Sequence, residues 1–405
     1  MTRYLIAGGG VAGVTAAKEI QKLDADAVID IFSNESYPYY YRPRLWEYIA
    51  GRISAEETIY RPAVWYAEQG INLHLNTSIV NIDAEKHLAW ISDGSEVSYD
   101  RLLIASGSSC YVPPIDGVQN QGVFTLRTLA DAKEIVAFAE HASHVVQIGG
   151  GLLGLETAKA LVDRGLKVTV IEFFPQLLPR QLDAEGAGVL TRQLEQTGMT
   201  LLTGQLTQKI EASEQGLQVM LQSGLMIEAD MVVISAGIRS NIDCWKDCGV
   251  EAGKGIKVNA AMQTSLPDVF AAGDVVEYAG VVHGIIPVAL DQANVAAANM
   301  VRPGSAAYTG TLNSTKLKVT GMEFTSLGDA TADGDGVKVL RRSDPERGRY
   351  QRLAIKGGKL IGAIVLGDSK RAFAYRKLIS AETPISQWVD DLLDDEFNLQ
   401  QIVPK

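Results

Sequence analysis

Cysteine is scarce in this chain of 405 residues: Cys110, Cys244 and Cys248 are all there are. Three thiols cannot form the even-numbered disulfide framework of a small secreted domain, so a packed core must hold the fold, and a reducing compartment suits it. Histidine is also rare, at five residues, and no metal site is read from the chain. Basic residues are outnumbered, 37 Lys and Arg against 48 Asp and Glu, giving a formal net charge of −11. That balance excludes non-specific nucleic-acid binding, which needs a basic surface to neutralise phosphates. Long apolar runs are missing too. Val281 to Ala298 contains His283, Asp291, Gln292 and Asn294, too polar to cross a bilayer cheaply. Leu5 to Ala17 is apolar but carries four glycines and lacks a basic leader. No targeting segment, no membrane association and a cytoplasmic location are therefore expected. What is present, 46% apolar and 21% charged residues, describes a globular chain of two or three domains.

Two glycine fingerprints stand 141 positions apart, Gly8-Gly9-Gly10-Val11-Ala12-Gly13 and Gly149-Gly150-Gly151-Leu152-Leu153-Gly154. Each follows a short apolar run, Tyr4 to Ala7 and Val145 to Ile148, and each opens an Ala/Leu/Val-rich stretch with helical character. Strand, glycine turn and helix in this order let the backbone approach a pyrophosphate at a helix N-terminus. The pattern predicts two dinucleotide sites, with one domain inserted in the other. After the first fingerprint, Ala27 to Phe32 reads as a second strand, and Asn34 or Glu35 beyond it could reach an adenosine ribose. The segment Tyr37 to Leu45 is too aromatic and proline-rich for a helix or central strand, and its arginines suit phosphate or flavin contact.

Strands are expected through Asn72 to Ile82, His87 to Ile91 and Arg101 to Ala105, the last running into the turn Ser106-Gly107. A boundary falls near residue 110, and Ala130 to Glu140 is helical. In the inserted domain Val168 to Ile171 is a buried parallel strand, with Glu172 at its end, 18 residues past Gly154. A carboxylate there bonds ribose hydroxyls and repels a 2′-phosphate, so NADH is preferred over NADPH. Phe173 and Phe174 supply no arginine to reverse this, although Arg180 lies nearby. Met231 to Ile234 returns a strand to Ser235-Ala236-Gly237. The stretch Thr264 to Val275 ends a strand in Gly273-Asp274, which can meet a polyhydroxyl chain, and Pro287 sits where a helix through about Met300 would begin. Beyond Thr311 come short strands with glycine turns, a helix over Ser369 to Ser380, and an acidic tail (Asp390, Asp391, Asp394, Asp395, Glu396). The predicted fold class is α/β: two Rossmann-like domains, residues 1–109 with 237–310 and residues 110–236, plus a small α+β domain, residues 311–405.

These landmarks resemble the pyridine nucleotide-disulfide oxidoreductase superfamily over essentially the whole chain. Tyr39 to Leu45, Leu126-Arg127-Thr128 and the compact C-terminal domain look like NADH:rubredoxin reductases and the flavin module of NADH-dependent nitrite reductases. The resemblance implies FAD, NADH and a protein electron acceptor. It puts the FAD pyrophosphate on Gly8, Gly10, Ala12 and Gly13, and the adenosine on Asn34, Glu35 and the Ile79 backbone. It puts the flavin near Arg42, Ser106, Gly107, Arg127, Gly273, Asp274, Ile285 and Lys318. NAD would lie on Gly149, Gly151, Leu152, Leu153, Gly154, Glu172 and Gly237, with Glu156 facing the nicotinamide. Glu47 departs from the lysine of related ferredoxin reductases. Disulfide reductases, peroxidases and coenzyme-A disulfide reductases of the superfamily carry a redox cysteine, yet residues 35 to 60 contain none.

The expectation is an FAD-dependent NADH:acceptor oxidoreductase that passes single electrons to a small acidic iron protein such as rubredoxin or ferredoxin. No protein side chain is assigned as a catalytic acid or base, because the cofactor carries the chemistry. The cluster Lys338, Arg341, Arg342, Arg347, Arg349, Arg352 and Lys356 could dock such a partner, through Arg341, Arg342 and Arg349, or be a solvated strand face. Other readings are a redox sensor resembling apoptosis-inducing factor and an NADH oxidase.

Overall fold

The computed structural model describes residues 1–214, 216–319 and 322–404, the side chains of Lys318 and Val319 excepted. They form two compact units, one of residues 1–45, 53–110 and 238–311, the other of 46–52, 111–237 and 312–405.

The first unit is built on a five-stranded parallel sheet in the order Val269–Ala271, Arg101–Ile104, Arg3–Ala7, Val28–Phe32, Ile71–His74. Side chains alternate across a strand, so Tyr4 and Ile6 face one layer and Leu5 and Ala7 the other. Helices Val11–Leu23 and Ile286–Val301 pack together on the Ile6 face through small residues, Ala16, Ala17, Ala293, Ala296 and Ala297. The Leu5 face is covered by the three-stranded sheet of Ile79–Asp83, Leu88–Ile91 and Glu96–Ser98 and by the short helix Asp243–Asp247, whose Trp245 is fully buried. The stretch expected from Asn72 to Ile82 is thus two strands in different sheets, broken at Asn76, which takes a left-handed φ of +54°. Pro287 lies in the first turn of its helix, where its missing N–H costs nothing.

The second unit holds a second parallel sheet, in the order Thr200–Thr203, Lys167–Glu172, His144–Ile148, Met231–Ile234, Val123–Thr125. It also holds an antiparallel sheet of five C-terminal strands, in the order Ser314–Val319, Met322–Gly328, Lys359–Leu366, Arg349–Lys356, Val337–Asp344. One face of this antiparallel sheet is covered by helix Ser369–Ser380 and by the acidic tail, whose Leu392, Leu399 and Ile402 enter the core. The other face meets helix Ala184–Gln196, where Asp183 is both the helix cap, accepting from Gly186 N at 3.1 Å, and the acceptor of Tyr350 Oη at 2.6 Å. Arg352, 1% exposed, sets its Nε 3.4 Å from the same carboxylate as an ion pair. Breaking a buried pair of this kind costs about 3–5 kcal/mol.

Candidate dinucleotide sites

In the first unit, parallel strands send every carboxyl end to one edge of the sheet. Ala7 leads into Gly8, Phe32 into Ser33, Ile104 into Ser106-Gly107, and Ala271 into Gly273-Asp274. The order places Arg3–Ala7 between strands reached from opposite sides, the crevice where open α/β sheets bind ligands. Gly8 has φ +125° and an added Cβ would lie 2.2 Å from the Ala105 carbonyl oxygen, so the turn needs glycine there. A Cβ on Gly13 would lie 2.0 Å from the Gly8 oxygen. Gly10 differs: it caps helix Val11–Leu23 with its side open, and a Cβ there meets no protein atom within 4 Å. Two glycines thus shape the turn, and the third leaves a cradle that a side chain would fill. The helix N-terminus behind it favours an anion.

Around this cradle stand Glu35, which accepts from Tyr40 Oη and pairs with Arg42, and Asp274, which accepts from Ser108 Oγ at 2.9 Å. Burial alone would lower the Arg42 guanidinium, yet Tyr40, Glu35 and Asp274 around it hold it above its ordinary value. The segment expected to be irregular turns helical within itself, as a 3₁₀ turn at Arg42–Arg44 running into helix Leu45–Ile49. Ser106 accepts from Trp245 Nε1 and donates to the Asn241 carbonyl; Gly107 takes φ +67°. Gly273 N donates to Gln292 Oε1, which fixes the Gly-Asp turn to helix Ile286–Val301. Ile79 is buried, and Ile285 caps that helix.

The second unit repeats the design. Gly149, with φ +104°, would bring a Cβ to 2.4 Å from the Ser235 oxygen, Gly154 to 2.1 Å from the Gly149 oxygen, and Gly151 to nothing within 4 Å. Gly151 caps helix Leu152–Asp163, so Leu152 and Leu153 form its first turn. Gly237 and Arg127 follow the carboxyl ends of neighbouring strands; Arg127 N donates to Asp131 within a capping box. Glu172, 6% exposed, accepts Gly150 N at 2.6 Å and Phe174 N at 2.8 Å. Phe173 and Phe174 stand exposed beside it. Glu156 is half-buried on the same helix, and Glu47 belongs to the segment 46–52 of this unit. The Lys318 side chain lies outside the described residues.

Backbone bonds align the two loops. Gly8 N donates to Phe32 O and Gly149 N to Ile171 O, both at 2.8 Å. Ser33 therefore occupies the position of Glu172, and Glu35 comes two residues later. The sequence reading puts Ser33 at the strand end but takes Asn34 and Glu35 as the candidates there; the register with Glu172 singles out Ser33. The Cys244 and Cys248 thiols are pushed up by burial and by neighbouring acids, the reverse of a reactive thiolate. Among the described residues no group of His, Cys, Asp or Glu is arranged for a metal, and no helix is long and apolar enough to cross a membrane.

Two parallel sheets, each ending in a glycine cradle at a helix N-terminus, define a protein with two dinucleotide sites. The chain belongs to the pyridine nucleotide-disulphide oxidoreductase family, whose model matches residues 2–299, and residues 314–383 match the rubredoxin NAD+ reductase C-terminal domain. It is 34% identical to a nitrite reductase [NAD(P)H] of Bacillus subtilis over 95% of this chain and 48% of that protein. It is 31% identical to the NADH-rubredoxin oxidoreductase of Clostridium acetobutylicum over 94% of this chain and 95% of that one. Its fold is that of a ferredoxin reductase from Rhodopseudomonas palustris, with TM-score 0.89 at 24% identity over the full length of both chains. The chain thus spans about half the length of the nitrite reductase.

The basic strand cluster is largely spent inside the molecule. Arg341 pairs with Asp183, Arg342 with Asp395 and the Leu393 carbonyl, Lys338 with Asp390, and Arg347 with Asp344.

Proposed function

We propose that this protein is an FAD-dependent NADH:acceptor oxidoreductase whose acceptor is a small iron protein. Residues 1–109 and 237–310 hold FAD, residues 110–236 hold NADH, and residues 311–405 form the C-terminal domain. The observation that carries this reading is the pair of cradles at Gly10 and Gly151, each open where a Cβ would stand and each backed by a helix N-terminus. FAD held there would supply the redox chemistry, hydride acceptance from NADH and one-electron release to the acceptor.

The chain's own residues bind and orient. Gly8, Gly10, Ala12 and Gly13 bring backbone amides to the FAD pyrophosphate. Asn34, Glu35 and the Ile79 backbone take the adenosine. Arg42, Ser106, Gly107, Gly273, Asp274 and Ile285 flank the rest of that cofactor, and Arg127, Glu156 and Lys318 carry the further flavin and nicotinamide contacts that the resemblance implies. Gly149, Gly151, Leu152, Leu153, Gly154, Glu172 and Gly237 take NAD, with the Glu172 carboxylate disfavouring a 2′-phosphate. The absence of cysteine from residues 35–60 and the raised thiols of Cys244 and Cys248 argue against an electron relay through a cysteine of that segment or through Cys244 and Cys248. The similarity to an NADH-rubredoxin oxidoreductase over nearly all of both chains supports an iron-protein acceptor. Of Arg341, Arg342 and Arg349, the docking residues expected from the sequence, Arg341 and Arg342 are already ion-paired, so this strand pair offers an acidic partner little free charge.

The test is anaerobic mixing of the purified holoprotein with NADH and with NADPH, followed by addition of rubredoxin, ferredoxin or cytochrome c. Yellow protein bleached faster by NADH, and recoloured by an iron protein, is the expected result. Protein that purifies without flavin, or flavin that NADH does not reduce, would refute the reading; rapid reoxidation by oxygen alone would favour an NADH oxidase.

A further inference from the structure

Helix Ser369–Ser380 is the outer layer of the C-terminal domain. Its inner face, Ala372, Ala374, Tyr375 and Leu378, is buried against strands Met322–Gly328 and Lys359–Leu366. Buried Arg371 reaches the tail, donating to the Leu392 and Asp394 carbonyls. The opposite face carries Lys370, Phe373, Arg376 and Lys377. Spacings of three and four residues put Lys370, Phe373 and Lys377 on one stripe, with Arg376 one turn from Phe373.

Phe373 is 57% exposed, and among the described residues of 312–404 it is the large apolar side chain left in solvent. Lys377 Nζ sits 5.4 Å from its ring centroid. Among the described residues, Lys370, Arg376 and Lys377 make no ion pair, whereas Lys338, Arg341, Arg342, Arg347, Arg352, Lys359 and Arg371 all do. The nearest carboxylate along the helix, Asp368, is engaged as its cap and as the partner of Arg371.

We propose that this face, with Phe373 as anchor and Lys370, Arg376 and Lys377 around it, docks the small acidic iron protein that accepts the electrons. An aromatic centre that desolvates on contact, ringed by cations that steer an acidic partner, is the arrangement protein interfaces concentrate their energy in. In a chain of net charge −11, cations with no internal partner are the ones an acidic surface can use without breaking existing pairs. The proposal rests on the iron-protein acceptor above.

The test uses the holoprotein with rubredoxin and ferredoxin as acceptors, across ionic strength, and ferricyanide as a small acceptor. The variant Lys370→Glu/Arg376→Glu/Lys377→Glu is expected to raise the iron-protein KM by about tenfold or more at low salt and to flatten its salt dependence. Phe373→Ala is expected to raise that KM several-fold at every ionic strength, because apolar burial is not screened. Ferricyanide turnover, flavin content and melting temperature stay at wild-type values in both. Arg342→Gln, which removes a paired cation, leaves the iron-protein KM within about twofold. An unchanged KM in the triple variant, or an equal rise in Arg342→Gln, overturns the docking face while leaving the acceptor reading intact. A wild type that reduces ferricyanide but no iron protein overturns both. Wild-type binding to anionic phospholipid vesicles, or self-association, lost in the triple variant with iron-protein kinetics unchanged, would reassign the face to a membrane or to a second copy.

Discussion

In the first glycine loop the acid beyond the second strand, Glu35, is held by Tyr40 and Arg42, whereas in the second loop Glu172 is held by the loop itself through Gly150 N and Phe174 N. The backbone turns are otherwise superimposable in design: the same strand-end bond, the same two glycines pressed on carbonyls, the same open third glycine. The difference follows from register. Glu172 ends its strand and stands beside Gly150, while Ser33 takes that place in the first loop and Glu35 lies two residues on. An acid at the strand end both shapes the loop and presents a carboxylate to a ligand. An acid further along leaves the loop to a small hydroxyl and needs a cation of its own, which Arg42 supplies.

The largest effects should separate the glycines that make the turn from those that leave it open. Gly8→Val and Gly149→Val force a Cβ to within 2.2 and 2.4 Å of a carbonyl oxygen at positive φ, and each should cost above about 4 kcal/mol, read as loss of soluble protein or of a cooperative melt. A Cβ at Gly10 or Gly151 meets no protein atom within 4 Å, so Gly10→Val should lose FAD and melt like the wild-type apoprotein, whereas Gly151→Val should keep FAD, melt like the flavin-bound wild type and lose NADH binding. Full flavin occupancy in Gly10→Val would break the equivalence of the two cradles.

Next in size is the carboxylate. Glu172→Arg removes two charge-assisted bonds, each worth about 1.5–3 kcal/mol, so NADH kcat/KM should fall by more than about a hundredfold without a matching gain for NADPH. Glu172→Gln, which keeps one acceptor, should fall by about tenfold. If Glu172→Arg used NADPH as well as the wild type uses NADH, the bonds to the loop would be dispensable and the acid purely a selectivity device.

The smallest effect is a pH dependence confined to the second sheet. Burial, reinforced by Lys167, holds the His144 imidazole below its ordinary value of 6.5, while its Nε2 lies 2.9 Å from Thr169 Oγ1. The folded state prefers the neutral ring. Its contribution is therefore present above 6.5 and is lost as pH falls below that value toward the folded one. Melting temperature should decline slightly more steeply from pH 7 to pH 5 in the wild type than in His144→Gln; identical slopes would show that the ring does not titrate differently on folding.

From the residues alone the two cradles, the parallel strands at Val28–Phe32, Lys167–Glu172 and Met231–Ile234, the start of the helix at Pro287 and the whole of helix Ser369–Ser380 could be read. Each is a local matter: glycine where φ is positive or backbone approaches backbone, proline where an N–H is idle, apolar runs where both faces of a strand are covered. Strand Met322–Gly328 was not anticipated, and it sits second in its sheet. Its position depends on long-range pairing with Lys359–Leu366, which no local pattern announces. Nor could spacing tell which cations are spent. Arg341 and Arg342 read as a docking patch until the fold brings Asp183 and Asp395 to them from 158 and 53 residues away, whereas among the described residues Lys370, Arg376 and Lys377 form no ion pair, and the carboxylate nearest them along the helix, Asp368, caps that helix. Charge composition is written in the chain, but whether a charge faces a partner inside the molecule or outside it is decided by which surfaces the folded backbone brings into contact.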